Sequence, residues 1–310
     1  MSKTAILFPG QGSQALGMGV ELIANYADIR TSLEEASDAL GYDVVELMSH
    51  GPEEKLNRTD FTQPAILALS VAIYRHLRTT IGIEANVMAG HSLGEYSALV
   101  AAGVLDFADA LQLVAKRGSY MLDAVPEGIG GMAAILGLDD ADIEAVCAAV
   151  ADGEVVSPVN YNSPGQVVIA GHKGAVVRAS EGCLEKGAKK AIPLTVSGPF
   201  HSALMKPAAE RLAVDLDNID IKNATIDVVN NVDVIVNRDV TSIKDSLVRQ
   251  IYNPVRWSET IQKMEADGVE RYIECGPGKV LAGLNKRINR RSVVFTTSDT
   301  AALAKLVELN

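Results

Sequence analysis

Short apolar runs alternate along the chain with longer segments in which apolar residues recur every three or four positions. That pattern predicts strands separated by helices, and so a mostly parallel sheet covered on both faces. Thr4–Phe8 reads as a buried first strand, stopped by Pro9-Gly10. Helical patterns follow over 31–40 and 63–80. Asn86–Ala89 is a short strand, with a helix over Leu93–Ala102 directly behind it. Asp106 has the chemistry of an N-cap for a helix running towards Met121. Later strands are expected at Thr225–Val229, Arg271–Cys275 and Ser292–Thr296.

The middle of the chain departs from this alternation. Met132–Leu138 predicts a strand, and Asp140 can cap a helix through Val150. Val155–Tyr161 and Gln166–Ala170 flank Asn162-Ser-Pro-Gly165, a turn sequence. A helix over Ala175–Lys186 and a strand over Ala191–Val196 complete the order β-α-β-β-α-β, the split unit of ferredoxin-like folds. The expectation is an α/β protein in two parts. Residues 1–124 plus 206–310 form the large domain, and residues 125–205 an inserted ferredoxin-like subdomain.

Composition narrows the function. With 310 residues, 48% of them hydrophobic, the chain can bury a large core without a metal or disulfide staple. Its 28 basic against 39 acidic residues leave a net charge of −11 and no basic block, which argues against nucleic acid and membrane surfaces. Cys147, Cys183 and Cys275 lie far apart and suit reduced thiols better than a disulfide framework. No Cys-x-x-Cys or His-Glu-x-x-His pattern offers a standard zinc site. The apolar run at the N-terminus is too short for a signal peptide, and no stretch is long enough to span a bilayer. A soluble, cytoplasmic chain is expected.

The sharpest chemical signal is Gly90-His91-Ser92-Leu93-Gly94, a G-x-S-x-G placed between a strand and a helix. That setting is the one a nucleophile elbow needs: a tight turn pushes the Ser92 hydroxyl outward and the next helix aims free N–H groups at it. A serine hydroxyl needs a base. Of five histidines, His201 ranks first, because Gly198-Pro-Phe-His201-Ser lies between a strand and a helix as a presented loop. His76, beside Arg75 and Arg78, reads as solvated, and His50 precedes a surface turn. No acidic residue stands out as the group that orients the imidazole, and a main-chain carbonyl would serve equally. Phe8-Pro-Gly10-Gln11-Gly12-Ser-Gln-Ala15 is a weak dinucleotide fingerprint, a source of an oxyanion-hole N–H, or a plain strand-end turn. Arg117 is either a surface arginine or a bidentate clamp for a substrate carboxylate.

Taken together these motifs resemble the malonyl-CoA:acyl carrier protein transacylase family. Phe-Pro-Gly-Gln-Gly-Ser-Gln at 8–14, Thr-Gln-Pro-Ala at 62–65, Gly-His-Ser-Leu-Gly-Glu-Tyr at 90–96 and Lys-Arg-Gly at 116–118 carry the likeness. So do Asn160-Tyr-Asn-Ser-Pro-Gly165, Phe200-His201-Ser, Val229-Asn-Asn-Val232, Tyr252-Asn-Pro254 and Glu274-Cys-Gly-Pro-Gly278, in family order over nearly the whole chain. The resemblance implies a hydrolase-like α/β core with an inserted ferredoxin-like subdomain. It implies Ser92 as nucleophile, His201 as base, the main-chain oxygen of Gln250 as its orienting acceptor, and the N–H groups of Gln11 and Leu93 as oxyanion donors. On this reading truncating the Gln250 side chain does far less than replacing His201, because the acceptor is backbone. Arg117 becomes the partner of the malonyl carboxylate, and Gln63, Met121, Asn160, Asn162, Gln166 and Phe200 become substrate contacts. The implied partners are malonyl-CoA and acyl carrier protein, whose phosphopantetheine thiol accepts the group, with no bound cofactor, no metal and a monomeric chain. An acidic carrier protein facing a chain of net charge −11 needs a local basic patch. Lys186, Lys189 and Lys190 on the insert, and Lys279, Lys286, Arg287 and Arg290 near the last helix, are the candidates.

Overall fold

The computed structural model describes residues 3–196 and 198–308. Its strands, in chain order, are β1 (Lys3–Phe8), β2 (Val87–Gly90), β3 (Gly130–Leu136), β4 (Val156–Ser163), β5 (Gln166–His172), β6 (Lys190–Pro193), β7 (Asp227–Val229), β8 (Val269–Glu274) and β9 (Val293–Thr296). They form two sheets, ordered β7-β2-β1-β8-β9 and β4-β5-β3-β6.

The five-stranded sheet is parallel throughout. Ala5 to Phe8 of β1 are fully buried, as a strand covered on both faces requires. Register decides where the chemistry lies. Phe8 pairs with Gly90, Ala89 with Val229, and Leu7 with Glu274. The loops that leave these four strands, beginning at Pro9, His91, Asn230 and Cys275, therefore emerge side by side at one edge. Ligands of open α/β sheets bind at that carboxyl edge.

The four-stranded sheet is antiparallel, with the split connectivity β3-helix-β4-β5-helix-β6. Alternation gives it two different faces. Ala133, Ile135, Val167 and Ile169 pack with Ile143, Cys147, Ala175, Val176, Ala179 and Cys183 of the helices Asp140–Val150 and Lys173–Glu185. Met132, Ala134, Asn160 and Val168 point the other way, into a cavity above the parallel sheet.

Most elements fall within a few residues of the sequence expectation, and the differences have local reasons. The hairpin turn is only Pro164-Gly165, because Asn162 and Ser163 stay in β4. Asp139, not Asp140, occupies the N-cap position of its helix, and its side chain makes no capping bond. The stretch expected as one helix over 63–80 is an α-helix, Thr59–His76, that loosens into a π turn, Leu77–Ile81. His76 is not solvated: it is 3% exposed, sits 2.7 Å from an Asp28 carboxylate oxygen and packs against the Tyr26 ring. Among the described residues no helix is long and apolar enough to cross a membrane.

Candidate active site

Ser92 has φ 52° and ψ −106°, a strained conformation at the point where β2 turns into the helix Leu93–Ala101. Such strain persists only where the surroundings over-determine it. Here the turn is held from below: a Cβ on Gly94 would lie 2.0 Å from the Phe8 carbonyl oxygen, so only glycine lets the helix sit this close to β1. Asn231, in the loop after β7, holds it from the side. Its side chain accepts from the Ser92 N–H at 2.7 Å and donates to the Gly90 carbonyl at 2.7 Å.

His201 reaches the Ser92 hydroxyl. His201 Nε2 lies 2.8 Å from Ser92 Oγ, and His201 Nδ1 lies 2.7 Å from the main-chain oxygen of Gln250. A carbonyl oxygen only accepts, so Nδ1 carries the proton and Nε2 presents its lone pair to the hydroxyl. Gln250 ends the helix Val240–Gln250, where carbonyls lack intrahelical partners. Burial, and then the nearby Arg117 cation, push the His201 imidazolium down to a pKa of about 3, so the resting imidazole is neutral.

Arg117 is buried, at 1% exposed. It stands on the helix Phe107–Asp123, in phase with the buried Ala110, Leu113, Val114 and Met121. Gly118 lets that helix meet the start of Thr59–His76, since a Cβ there would lie 2.7 Å from the Thr59 carbonyl oxygen. Arg117 Nη1 donates to Gln63 Oε1 at 2.6 Å, and Nη2 donates to Gln250 Oε1 at 2.9 Å and to Ser92 Oγ at 3.1 Å. All three acceptors are neutral; Nε makes no hydrogen bond among the described residues, and the guanidinium lies 5.2 Å from the centre of the buried Tyr96 ring. A cation is thus buried beside the nucleophile without an anion in contact, a costly arrangement unless a ligand completes it.

These groups open onto a cavity of about 610 Å³. Gln11, Gln63, Ser92, Leu93, Arg117, Met121, Asn160, Asn162, Gln166, Phe200 and His201 all line it, so every expected site residue except Gln250 reaches its surface. No hydrogen bond is donated by the main-chain N–H of Gln11 or Leu93 among the described residues. The Gln11 side chain donates to Thr59 Oγ1 at 3.2 Å, which pins the loop after β1 over the elbow. Asn162 Oδ1 sits 2.8 Å from His91 Nε2, linking the antiparallel sheet to the nucleophile loop.

Two findings go beyond the sequence expectation. The Gln250 side chain is fully buried and knitted in: Nε2 donates to the Ser92 carbonyl at 3.0 Å and to Glu95 Oε2 at 2.8 Å. These contacts give the side chain a role of its own beside the main-chain acceptor. Glu95, 2% exposed, also accepts from the Asn231 N–H at 3.0 Å. Burial raises its carboxyl to a pKa of about 7, against the lowering pull of Gln250, Asn231 and Arg117. Glu95 and Asn231 lie inside motifs quoted above, but only the apposition of the β2 and β7 ends gives them a role.

Comparison with known proteins agrees with this architecture. The profile of the acyl transferase domain matches residues 6–298. Over all of both chains, 55% of residues are identical to the malonyl CoA-acyl carrier protein transacylase of Escherichia coli strain K12. The enzyme of that name from Haemophilus influenzae is 56% identical over 99% of both. Among solved structures, a malonyl-transacylase in complex with its type II PKS acyl-carrier protein superposes with a TM-score of 0.98, at 53% identity and full coverage of both chains. The acyl carrier protein S-malonyltransferase of Vibrio cholerae gives 0.96 at 55% identity, over 98% of this chain and 100% of that one. With an elbow serine, a histidine and a buried arginine in one cavity, the chain belongs to the acyl transferase domain family and, within it, to the malonyl CoA-acyl carrier protein transacylases.

Proposed function

We propose that the chain moves the malonyl group of malonyl-CoA onto the phosphopantetheine thiol of acyl carrier protein, through an ester on Ser92, for fatty acid biosynthesis. The observation that carries this reading is Arg117: a buried guanidinium, bonded only to neutral acceptors, at hydrogen-bond distance from the nucleophile. The malonyl carboxylate is the anion it lacks, and a general esterase has no use for such a group.

Ser92 Oγ attacks the thioester carbonyl while His201 Nε2 takes its proton. The oxyanion forms against the N–H groups of Gln11 and Leu93, donors of a kind worth roughly 3–4 kcal/mol each. The C–S bond breaks, CoA leaves with the proton from His201, and malonyl-Ser92 remains. The carrier thiol then attacks this ester as His201 takes the thiol proton, and the Ser92 oxygen leaves and is reprotonated. Asn160, Asn162 and Gln166 lie along the exposed face of the antiparallel sheet and suit the amides of the pantetheine arm. Gln63, Met121 and Phe200 wall the acyl end beside Arg117.

Residues 125–205 serve as the inserted unit that roofs the cavity, and 1–124 with 206–310 as the catalytic unit below it. Lys186, Lys189, Lys190, Lys279, Lys286, Arg287 and Arg290 are all exposed. Arg287 bonds to Gln166 at the cavity rim, and Leu194 to Val196, just beyond β6, line the same cavity. An acidic carrier docks across this rim.

Intact mass tests the proposal. Mixing with malonyl-CoA should add one malonyl group, and holo carrier protein should then remove it with the malonyl group appearing on the carrier. Free malonate in place of malonyl carrier would make the chain a hydrolase.

A further inference from the structure

Glu95 is a buried carboxylate that the mechanism above does not use. Its Oε2 accepts from two neutral donors, Gln250 Nε2 at 2.8 Å and the Asn231 N–H at 3.0 Å. The two contacts lead to different places. The Asn231 branch ends on the Ser92 N–H and the Gly90 carbonyl, and so on the elbow itself. The Gln250 branch ends on Arg117 Nη2, which donates to the other end of the same amide at 2.9 Å.

An amide has a donor end and an acceptor end, and its partners choose which way it faces. A guanidinium only donates, and an ionised carboxylate only accepts. With Glu95 on one side and Arg117 on the other, one orientation satisfies both ends. The reverse would set an NH2 against the guanidinium and an oxygen against both the carboxylate and the Ser92 carbonyl. Placement matters as much as sign. A carboxylate touching Arg117 would occupy the donors that a substrate needs. Glu95 stands one amide away, so it steers the guanidinium and leaves it, at the cavity lining, without a carboxylate in contact.

We propose that Glu95 is a positioning residue for malonyl selectivity, acting on Arg117 through the side-chain amide of Gln250. The inference rests on Arg117 being the malonyl clamp. Its expected signature differs from that of a structural role. Loss of the Asn231 branch would disturb Ser92 and slow every acyl donor alike. Loss of the Gln250 branch disturbs Arg117 and slows malonyl transfer selectively.

Glu95→Met keeps the side-chain volume and deletes the acceptor, whereas Glu95→Gln keeps one acceptor oxygen. Acylation by malonyl-CoA and by acetyl-CoA is measured in both variants, with Arg117→Ala alongside. Glu95→Met removes both branches, so both donors should slow, but kcat/KM for malonyl-CoA should fall by about tenfold or more beyond the acetyl value, with a raised KM for malonyl-CoA. Glu95→Gln should keep the malonyl-to-acetyl ratio within about threefold of the parent. Equal losses for both donors, or an unchanged ratio in Glu95→Met, overturn the proposal while leaving the clamp intact. A constant ratio in Arg117→Ala overturns the clamp and this inference with it. Should Glu95→Met fail to fold, Gln250→Leu breaks the same link from its other end: a fallen ratio there supports the route through the amide, and an unchanged one overturns it.

Discussion

Arg117 Nη2 donates to the Ser92 hydroxyl across 3.1 Å, so the buried cation touches the nucleophile. A carboxylate bound to that guanidinium is held at a set distance from the attacking oxygen. Malonyl and acetyl thioesters differ by this one carboxylate. Arg117→Ala should cut kcat/KM for malonyl-CoA by an amount on the order of 2–5 kcal/mol and spare or improve acetyl transfer. Arg117→Lys, a point charge in place of a fork, should restore only part of the malonyl activity. The check is kcat/KM for both donors in all three proteins. A constant malonyl-to-acetyl ratio would make Arg117 a structural residue.

In the proposed mechanism one base serves both half-reactions, because His201 is the single imidazole in hydrogen-bond contact with Ser92 Oγ among the described residues. His201→Ala should therefore slow formation and breakdown of malonyl-Ser92 together, by about 10²–10⁴-fold. Stopped-flow release of CoA and transfer from preformed acyl-enzyme measure the two steps separately. Slowing of only one step would require a second base.

Gln250→Ala leaves the main-chain acceptor for His201 but strips Arg117, Ser92 and Glu95 of a shared partner. Each of these groups keeps another partner, so each lost bond costs about 1 kcal/mol rather than the larger penalty of a buried orphan. The variant should lose thermal stability and malonyl selectivity together, while its acetyl acylation falls less than in His201→Ala. Melting temperature and donor ratio read this directly. Wild-type values for both would show that the side chain is idle.

Local pattern carried most of the fold and part of the site. Strand, glycine turn and helix lie contiguous in 86–102, so the elbow at Ser92 was legible without any tertiary knowledge. Arg117 could be read two ways from the residues alone, although its phase with Leu113, Val114 and Met121 already set it on the buried face. Glu95 and Asn231 were not legible as a pair. They are 136 positions apart and meet only because β7 lies beside β2. The burial of His76 is hidden from local pattern for the same reason, its partner Asp28 lying 48 positions away.

Docking of the carrier should depend on charge at the rim. Lys189 and Lys190 are exposed at the start of β6, an edge strand that runs into the cavity lining at Leu194. Reversing both to Glu should raise the KM for carrier protein, most strongly at low salt where screening is weakest. Acylation by malonyl-CoA should be unchanged, because neither lysine lines the cavity. An unchanged carrier KM at low salt would move the docking site away from this strand.

The pH dependence of acylation should report Arg117 at a distance. Burial first, and then the Arg117 charge, lower His201 from 6.5 to about 3. The working base is the neutral imidazole, so a lowered pKa keeps it competent further into acid. Removing a nearby positive charge favours imidazolium and raises the pKa, moving the acid limb up. Acetyl-CoA is the cleaner donor, since it has no carboxylate to titrate or to pair with Arg117. Glu95, raised to about 7, titrates above His201 and would overlay its own limb. The comparison is therefore made in Glu95→Gln, with and without Arg117→Ala. With Arg117 present, kcat/KM should hold to below about pH 5. Without it the limb should move up by about one unit or more but stay below 6.5, because the larger cause, burial, remains. A limb at 6.5 in both proteins would mean that His201 is solvated in the working enzyme and that Arg117 exerts no field on it.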